Sequence, residues 1–224
     1  MIEVLYKNKD FVVIYKPQGV PSQSDASGSD DAMSAASRAL EELGEHSKLW
    51  LIHRLDRVVG GVLVFARNKG AAARLSELVG GGGMEKEYLA VVHGDAPGGS
   101  LVDYIYKDAK QAKAFVVKEG KRGAKRAELE YLPIQRCEHD GSVYTLVKIK
   151  LHTGRFHQIR VQLSSRGMPI VGDGKYGSHN NRAKLPALFS SALGFDFGKE
   201  RFNFTKKPDI DTYPWSIFEW SNIK

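Results

Sequence analysis

Residues 61–66 read Gly-Val-Leu-Val-Phe-Ala, a nearly continuous apolar run, and the block His53-Arg54-Leu55-Asp56 stands shortly before it. An apolar run of that length suits a strand buried at the centre of a sheet. It sets one carboxylate, Asp56, against the edge of a core. A second dense polar block, Leu151-His152-Thr153-Gly154-Arg155-Phe156-His157-Gln158-Ile159-Arg160, follows far downstream. Two polar blocks set between apolar segments have the look of parts of one active site.

The remaining pattern supplies the sheet around that strand. Strands are expected over residues 3–6 and 11–15, with the second stopped at Lys16-Pro17-Gln18-Gly19, because proline cannot extend a ladder. Residues 20–31, rich in Ser, Asp and Gly, read as a mobile surface loop. Met33, Ala36, Leu40 and Leu43 recur at helical spacing, with Asp30 or Asp31 as cap and Gly44 as stop. Residues 49–56 read as extended. Asn68 caps a helix over 71–79 that four glycines, Gly80 to Gly83, end. Further strands are expected at 87–93, 128–132, 144–151 and 191–197. Residues 101–131 read as a hairpin or small excursion. A helix is expected from Thr153 or Gly154 to Gly167, residues 172–186 as loop, and 208–224 as a weakly structured tail anchored by Trp215 and Trp220. Strands outnumber helices without βαβ alternation, which predicts an α+β fold with a mixed or antiparallel sheet.

Asp56 leads the chemistry. Partial desolvation raises a carboxylate's pKa, and a nearby arginine opposes that and keeps it charged. Arg54, two residues away along an extended stretch, would share its face, and Arg155 is a second candidate partner. A charged, oriented carboxylate works as nucleophile or general base, while the same residues also fit a structural salt bridge. His53 and Arg54 suit contacts to phosphate or base. Lys86 and Tyr88 alternate onto one strand face, where Tyr88 either stacks on a planar substrate or fills the core. Gly154 would open a helix crowded with the donors Arg155, His157, Gln158 and Arg160, a place to hold an anion. Arg155 with Gln158, and His157 with Arg160, would form two faces, one for the site and one for tying strands or phosphate.

Other chemistries find little footing. Gly80 to Gly83 lacks the Gly-Lys-Ser/Thr ending of a phosphate loop, no Gly-x-Ser-x-Gly elbow or dinucleotide fingerprint occurs, and the seven histidines have no zinc spacing. No cofactor or metal is expected. The single Cys137 excludes an intramolecular disulfide. The start has no basic-then-apolar signal pattern and no run reaches the roughly 20 apolar residues of a membrane span, so the cytoplasm is expected and a membrane partner is not. A formal net charge of +7 favours a polyanionic partner. Lys107, Lys121, Arg122, Lys125 and Arg126 are the candidate contacts to the backbone of such a partner.

The chain resembles the pseudouridine synthases that modify ribosomal or transfer RNA, in the large family with an Arg-Leu-Asp motif. The matching blocks are residues 10–23, DFVVIYKPQGVPSQ; 53–67, HRLDRVVGGVLVFAR; 84–94, MEKEYLAVVHG; and 151–177, LHTGRFHQIRVQLSSRGMPIVGDGKYG. The resemblance implies a mixed, largely antiparallel central sheet with flanking helices and a central catalytic cleft, and no cofactor. It implies that Asp56 is the catalytic aspartate, that Tyr88 packs against the target base, that Arg155 pairs with the aspartate, and that Arg54 holds the flipped-out nucleotide or fills its place. Ile159 would belong to an apolar wall. The reaction implied breaks the N-glycosidic bond of a uridine, turns the uracil and joins its C5 to ribose C1′. Asp56 would attack C1′ or take a ribose proton to give a glycal-like intermediate. Residues 1–224 are expected to be a single catalytic domain without a separate N-terminal RNA-binding module, a monomer acting on structured ribosomal or transfer RNA with no obligate protein partner. Two departures stand out. Val58-Val59-Gly60 replaces the commoner Thr-Ser-Gly, and Leu188-Phe189-Ser190 replaces Leu-His-Ala. They leave room for a non-catalytic RNA-binding or ribosome-assembly protein. A third reading, an unrelated hydrolase, would require an Asp56–histidine pair.

Overall fold

The computed structural model describes residues 2–24, 30–46, 48–180, 182–221 and 223. In chain order these form β1 (Glu3–Lys7), β2 (Phe11–Lys16), α1 (Ala32–Glu42), β3 (Trp50–Leu51), β4 (Gly60–Ala66), α2 (Lys69–Gly80), β5 (Met84–His93), β6 (Gly99–Asp108), β7 (Lys113–Val117), β8 (Lys125–His139), β9 (Ser142–Leu151), α3 (Gln158–Ser164), β10 (Leu188–Phe197) and β11 (Glu200–Thr205). Short 3-10 turns lie at Gly174–Tyr176 and Trp215–Ile217. The fold is α+β with a mostly antiparallel sheet. The chain divides into two compact units, Met1–Lys86 with Phe189–Pro208, and Glu87–Leu188 with Asp209–Lys224.

The first unit is built on β4, whose seven residues are all buried. β2 pairs antiparallel with it from Phe11↔Ala66 to Lys16↔Gly61, and β1 pairs with β2. β10 runs parallel to β4 at Phe189↔Gly60 and Ser190↔Gly61. Alternation puts Phe11, Val13, Val62 and Val64 on one face, against Ala71 and Leu75 of α2 and Leu193 and Phe195 of β10. Each such aliphatic or aromatic side chain contributes about 1.5–3 kcal/mol on burial. Phe11 also meets the rings of Phe195 and Phe202 edge-on, at 5.3 and 5.1 Å. Phe202 belongs to β11, a strand the sequence reading did not resolve; only its alternate residues are part-buried.

The caps follow local chemistry. The Asp31 carboxylate accepts from Ser34 N at 3.0 Å, and Asn68 Oδ1 accepts from Ala71 N at 2.8 Å. Each such cap is worth about 1 kcal/mol.

In the second unit β5 pairs with β9, β9 with β8, β8 with β6 and β6 with β7, all antiparallel. Of the hairpin or small excursion expected over 101–131, the hairpin forms, β6 with β7, and β8 pairs with the other edge of β6; the candidate backbone-contact cations lie on β6, β8 and the turn before β8. Ile105, Ala114 and Ala127 on those strands pack against Val161 of α3 and Tyr176. The tail is less loose than expected: Trp215 is buried, and Trp220 Nε1 donates to its carbonyl at 2.9 Å.

Candidate active site

Asp56 lies in the irregular segment between β3 and β4. β3 ends at Leu51, so Arg54 and Asp56 are not on a strand and the two-residue alternation expected to align them does not apply. Arg54 is exposed, Asp56 half-buried and Leu55 buried. The backbone around Asp56 is held by residues 16–22. Ser22 Oγ donates to Leu55 O at 2.8 Å and accepts from Leu55 N at 3.1 Å. Gly19 N donates to Arg57 O at 2.8 Å, Arg57 Nε donates to Gly19 O at 2.9 Å, and Gln18 Nε2 donates to Val58 O at 2.9 Å. The first part of the expected mobile loop is thus structural: Pro21 and Ser22 are buried, while residues 25–29 of that loop lie outside the described residues.

Beneath this turn sits Lys16, 0% exposed. Its ammonium donates to Val20 O at 2.6 Å, Pro17 O at 3.0 Å and Arg57 O at 3.4 Å. Burial pushes its pKa down to about 7, the Asp56 carboxylate pulls it back up and Arg57 pushes it down. A buried lysine therefore lies within electrostatic reach of Asp56, a partner that sequence reasoning missed because Lys16-Pro17 read only as a strand stop.

The two departures in sequence share a neighbourhood. Gly61 has φ +128°, and a Cβ there would lie 2.2 Å from Ser190 O. Only glycine fits this parallel contact. Ser190 Oγ donates to Val62 O at 3.3 Å, so Val58-Val59-Gly60 and Phe189-Ser190 flank one tight backbone approach between β4 and β10.

His53 and Lys86 come together in the same unit. Lys86 is 7% exposed and has no hydrogen bond or ion pair among the described residues. His53 Nε2 is buried and likewise without a hydrogen-bond partner. Burial first, then the Lys86 charge, push the His53 pKa to about 3, and burial lowers that of Lys86. Imidazole stays neutral here at physiological pH.

In the second unit Tyr88 is buried on β5, opposite Ile149. α3 begins at Gln158, not at Thr153 or Gly154. The reason is the left-handed His157, φ 52°, which breaks the helical path. The loop before it is organised instead by Gln158, whose Oε1 accepts from Thr153 Oγ1 at 2.8 Å and Arg155 N at 3.0 Å, and whose Nε2 donates to Glu128 O at 3.1 Å. The expected helix-end anion site at Gly154 is therefore absent as a helix end. Arg155 is exposed, with Nε donating to Arg126 O at 2.8 Å. His157 Nδ1 lies 2.8 Å from Tyr176 Oη, and its ring stacks on Phe156 with centroids 3.8 Å apart. Burial, then Arg160, Lys175 and Lys107, push its pKa to about 3. Ile159 is buried. Arg160 forms a buried fork with Asp173, at 2.6 and 2.8 Å.

The basic residues stay outside. Lys107, Lys121, Arg122, Lys125 and Arg126 are exposed. Lys107 lies over Phe156 and Lys121 over Tyr106, at 4.6 and 4.9 Å from the ring centroids. Arg126 pairs with Glu128 at 2.6 Å. Among the described residues no group of three or more His, Cys, Asp or Glu is arranged to hold a metal, and no helix is long and apolar enough to cross a membrane.

A family model described as RNA pseudouridylate synthase matches residues 10–165. Over 196 residues the chain is 31% identical to an uncharacterized RNA pseudouridine synthase of Haemophilus influenzae, covering 88% of this chain and 83% of that protein. It is 30% identical over 201 residues to the tRNA pseudouridine synthase C of the same organism, covering 86% and 83%. The human RNA pseudouridylate synthase domain containing 4 superposes with a TM-score of 0.76 at 26% identity, over 93% of this chain and 89% of that one.

Proposed function

The chain belongs to the RNA pseudouridylate synthase family and isomerises uridine in RNA to pseudouridine, and from that premise we propose that Asp56 is the carboxylate that carries the reaction, on ribosomal or transfer RNA. The observation that carries the assignment is the environment of Asp56. Its flanking backbone is pinned by hydrogen bonds from Ser22, Gly19 and Gln18, and a buried ammonium lies within electrostatic reach, while its own side chain stays half-exposed. A carboxylate so held is preorganised. Charged, it attacks ribose C1′ or accepts a proton from C2′; both routes leave the same product.

The motif match supports the other roles. Tyr88 is proposed to pack against the target base and Arg155 to serve as the family's basic residue, with Arg54 holding the extruded nucleotide. Gln158 then acts indirectly, by fixing the backbone of Arg155, and Ile159 and Arg160 by shaping α3. Extruding a base from a helix costs a few kcal/mol, less from a loop. The exposed cations Lys107, Lys121, Arg122, Lys125 and Arg126 are suited to offset part of that through phosphate contacts. Transfer RNA as one substrate class is supported by the likeness to the tRNA pseudouridine synthase C of Haemophilus influenzae.

The test is Asp56→Asn. Pseudouridines mapped in cellular RNA that depend on the wild-type protein are expected to vanish with the variant, while RNA binding and melting temperature persist. Full conversion by the variant would overturn the role of Asp56.

A further inference from the structure

Lys86 and His53 present a physical problem that the carboxylate chemistry does not solve. A charged ammonium at 7% exposure is costly unless something pairs with it. Among the described residues no hydrogen bond or ion pair does, though the ammonium itself keeps some access to solvent, and the Nε2 of His53, close enough to feel the Lys86 charge, is fully buried and unpartnered. Buried polar groups in folded proteins are nearly always satisfied, and exceptions call for a missing ligand or a chemical task. The orphans belong to two of the polar segments that matter most. His53 stands three residues before Asp56, and Lys86 two residues before Tyr88 on β5.

We propose that Lys86 and His53 form the site that receives the uracil ring as it leaves the ribose, with the Lys86 ammonium stabilising the negative charge that uracil carries away. The inference rests on the uridine isomerisation above. When the C1′–N1 bond breaks, its electron pair leaves with the base and spreads over N1, O2 and O4. An ammonium donating to one of those oxygens stabilises the departing anion without transferring a proton. Neutral His53 offers one further donor or acceptor to the ring edge, according to its tautomer. The ring then turns, C5 bonds to C1′, C5 gives up its proton and N1 regains one, so the product is an isomer and no co-reactant is consumed. The scheme is the same whether Asp56 attacks C1′ or removes a ribose proton, because in both routes uracil departs with the electron pair. It also explains why so costly a cation is kept: the counter-charge exists only during the reaction, as transition-state stabilisation requires.

The experiment compares wild type, Lys86→Met and Lys86→Arg in single-turnover reactions. The substrates are one RNA carrying uridine and the same RNA carrying 5-fluorouridine at the target position, with consumption of the target nucleoside followed by mass spectrometry. For uridine, Lys86→Met is expected to slow the step by about 100-fold or more, with RNA affinity unchanged. For 5-fluorouridine the loss shrinks, because fluorine already stabilises the departing anion. Lys86→Arg retains part of the rate. Lys86→Met also melts above wild type, because a buried unpaired charge is removed. Equal losses on both RNAs, a wild-type rate in Lys86→Met, or a variant that melts lower or fails to fold would each overturn the proposal, since each makes Lys86 irrelevant or structural. Wild-type protein that forms no pseudouridine on any RNA would instead overturn the substrate reading itself.

Discussion

Arg160 was a natural candidate for gripping phosphate, and its contacts make a sharp prediction about stability instead. Its Nε and Nη2 donate to the two oxygens of Asp173, and the paired side chains are 6% and 1% exposed. The guanidinium also lies 5.0 Å from the centroid of the Tyr176 ring. Asp173 caps no helix with its side chain, so Asp173→Ala removes little besides the ion pair. Breaking one partner of a buried pair leaves an uncompensated charge and costs about 3–5 kcal/mol. For a chain of this size each kcal/mol lowers the melting temperature by roughly 2–4 °C, so the expected drop is on the order of 6–20 °C. The companion variant Arg160→Met with Asp173→Leu removes both charges and fills the space with apolar atoms. It is expected to recover most of the loss, because the desolvation cost of both ions disappears with their attraction. Urea titration of wild type, Asp173→Ala and the double variant supplies the free energies. A loss below about 1 kcal/mol, in the range of exposed pairs, would refute the claim that this pair is buried and structural. So would a double variant no more stable than Asp173→Ala.

Three further outcomes are expected. Asp56→Asn abolishes pseudouridine formation in mapped cellular RNA without loss of RNA affinity. Lys16→Met reveals a titration: the unfolded chain binds the lysine proton below 10.5 but the folded chain only below about 7, so the burden on the fold is complete below 7 and gone above 10.5. Wild type should therefore gain on the variant by up to about 1.4 kcal/mol per pH unit as pH rises between those limits, and a difference in urea stability that is flat from pH 7 to 10 would contradict it. Neutralising Lys121, Arg122, Lys125 and Arg126 together should make the slope of log affinity against log salt shallower by about 3 if each meets a phosphate, and an unchanged slope removes this patch from the RNA interface.

Much of the architecture was legible in local patterns. The apolar run before Arg67 became β4, and Asn68 capped α2 where expected, because alternation and capping are set by residues a few positions apart. β11 escaped notice because only alternate residues of a short edge-like strand are part-buried. The helix expected at Gly154 failed because one left-handed residue, His157, outweighed a favourable apolar spacing.

The candidate site divides along the same line. The amino-acid order alone singled out Asp56, Tyr88 and Arg155, since a motif is a short string and its residues travel together. It did not reveal that Lys16 lies buried near Asp56, that Asp173 neutralises Arg160, or that Gly61 must be glycine because Ser190, 129 positions later, presses against it. Those facts depend on which distant segments the folded chain brings into contact. Burial then fixes the energies, since a charge removed from water takes its pKa and its cost from whatever neighbours the fold supplies.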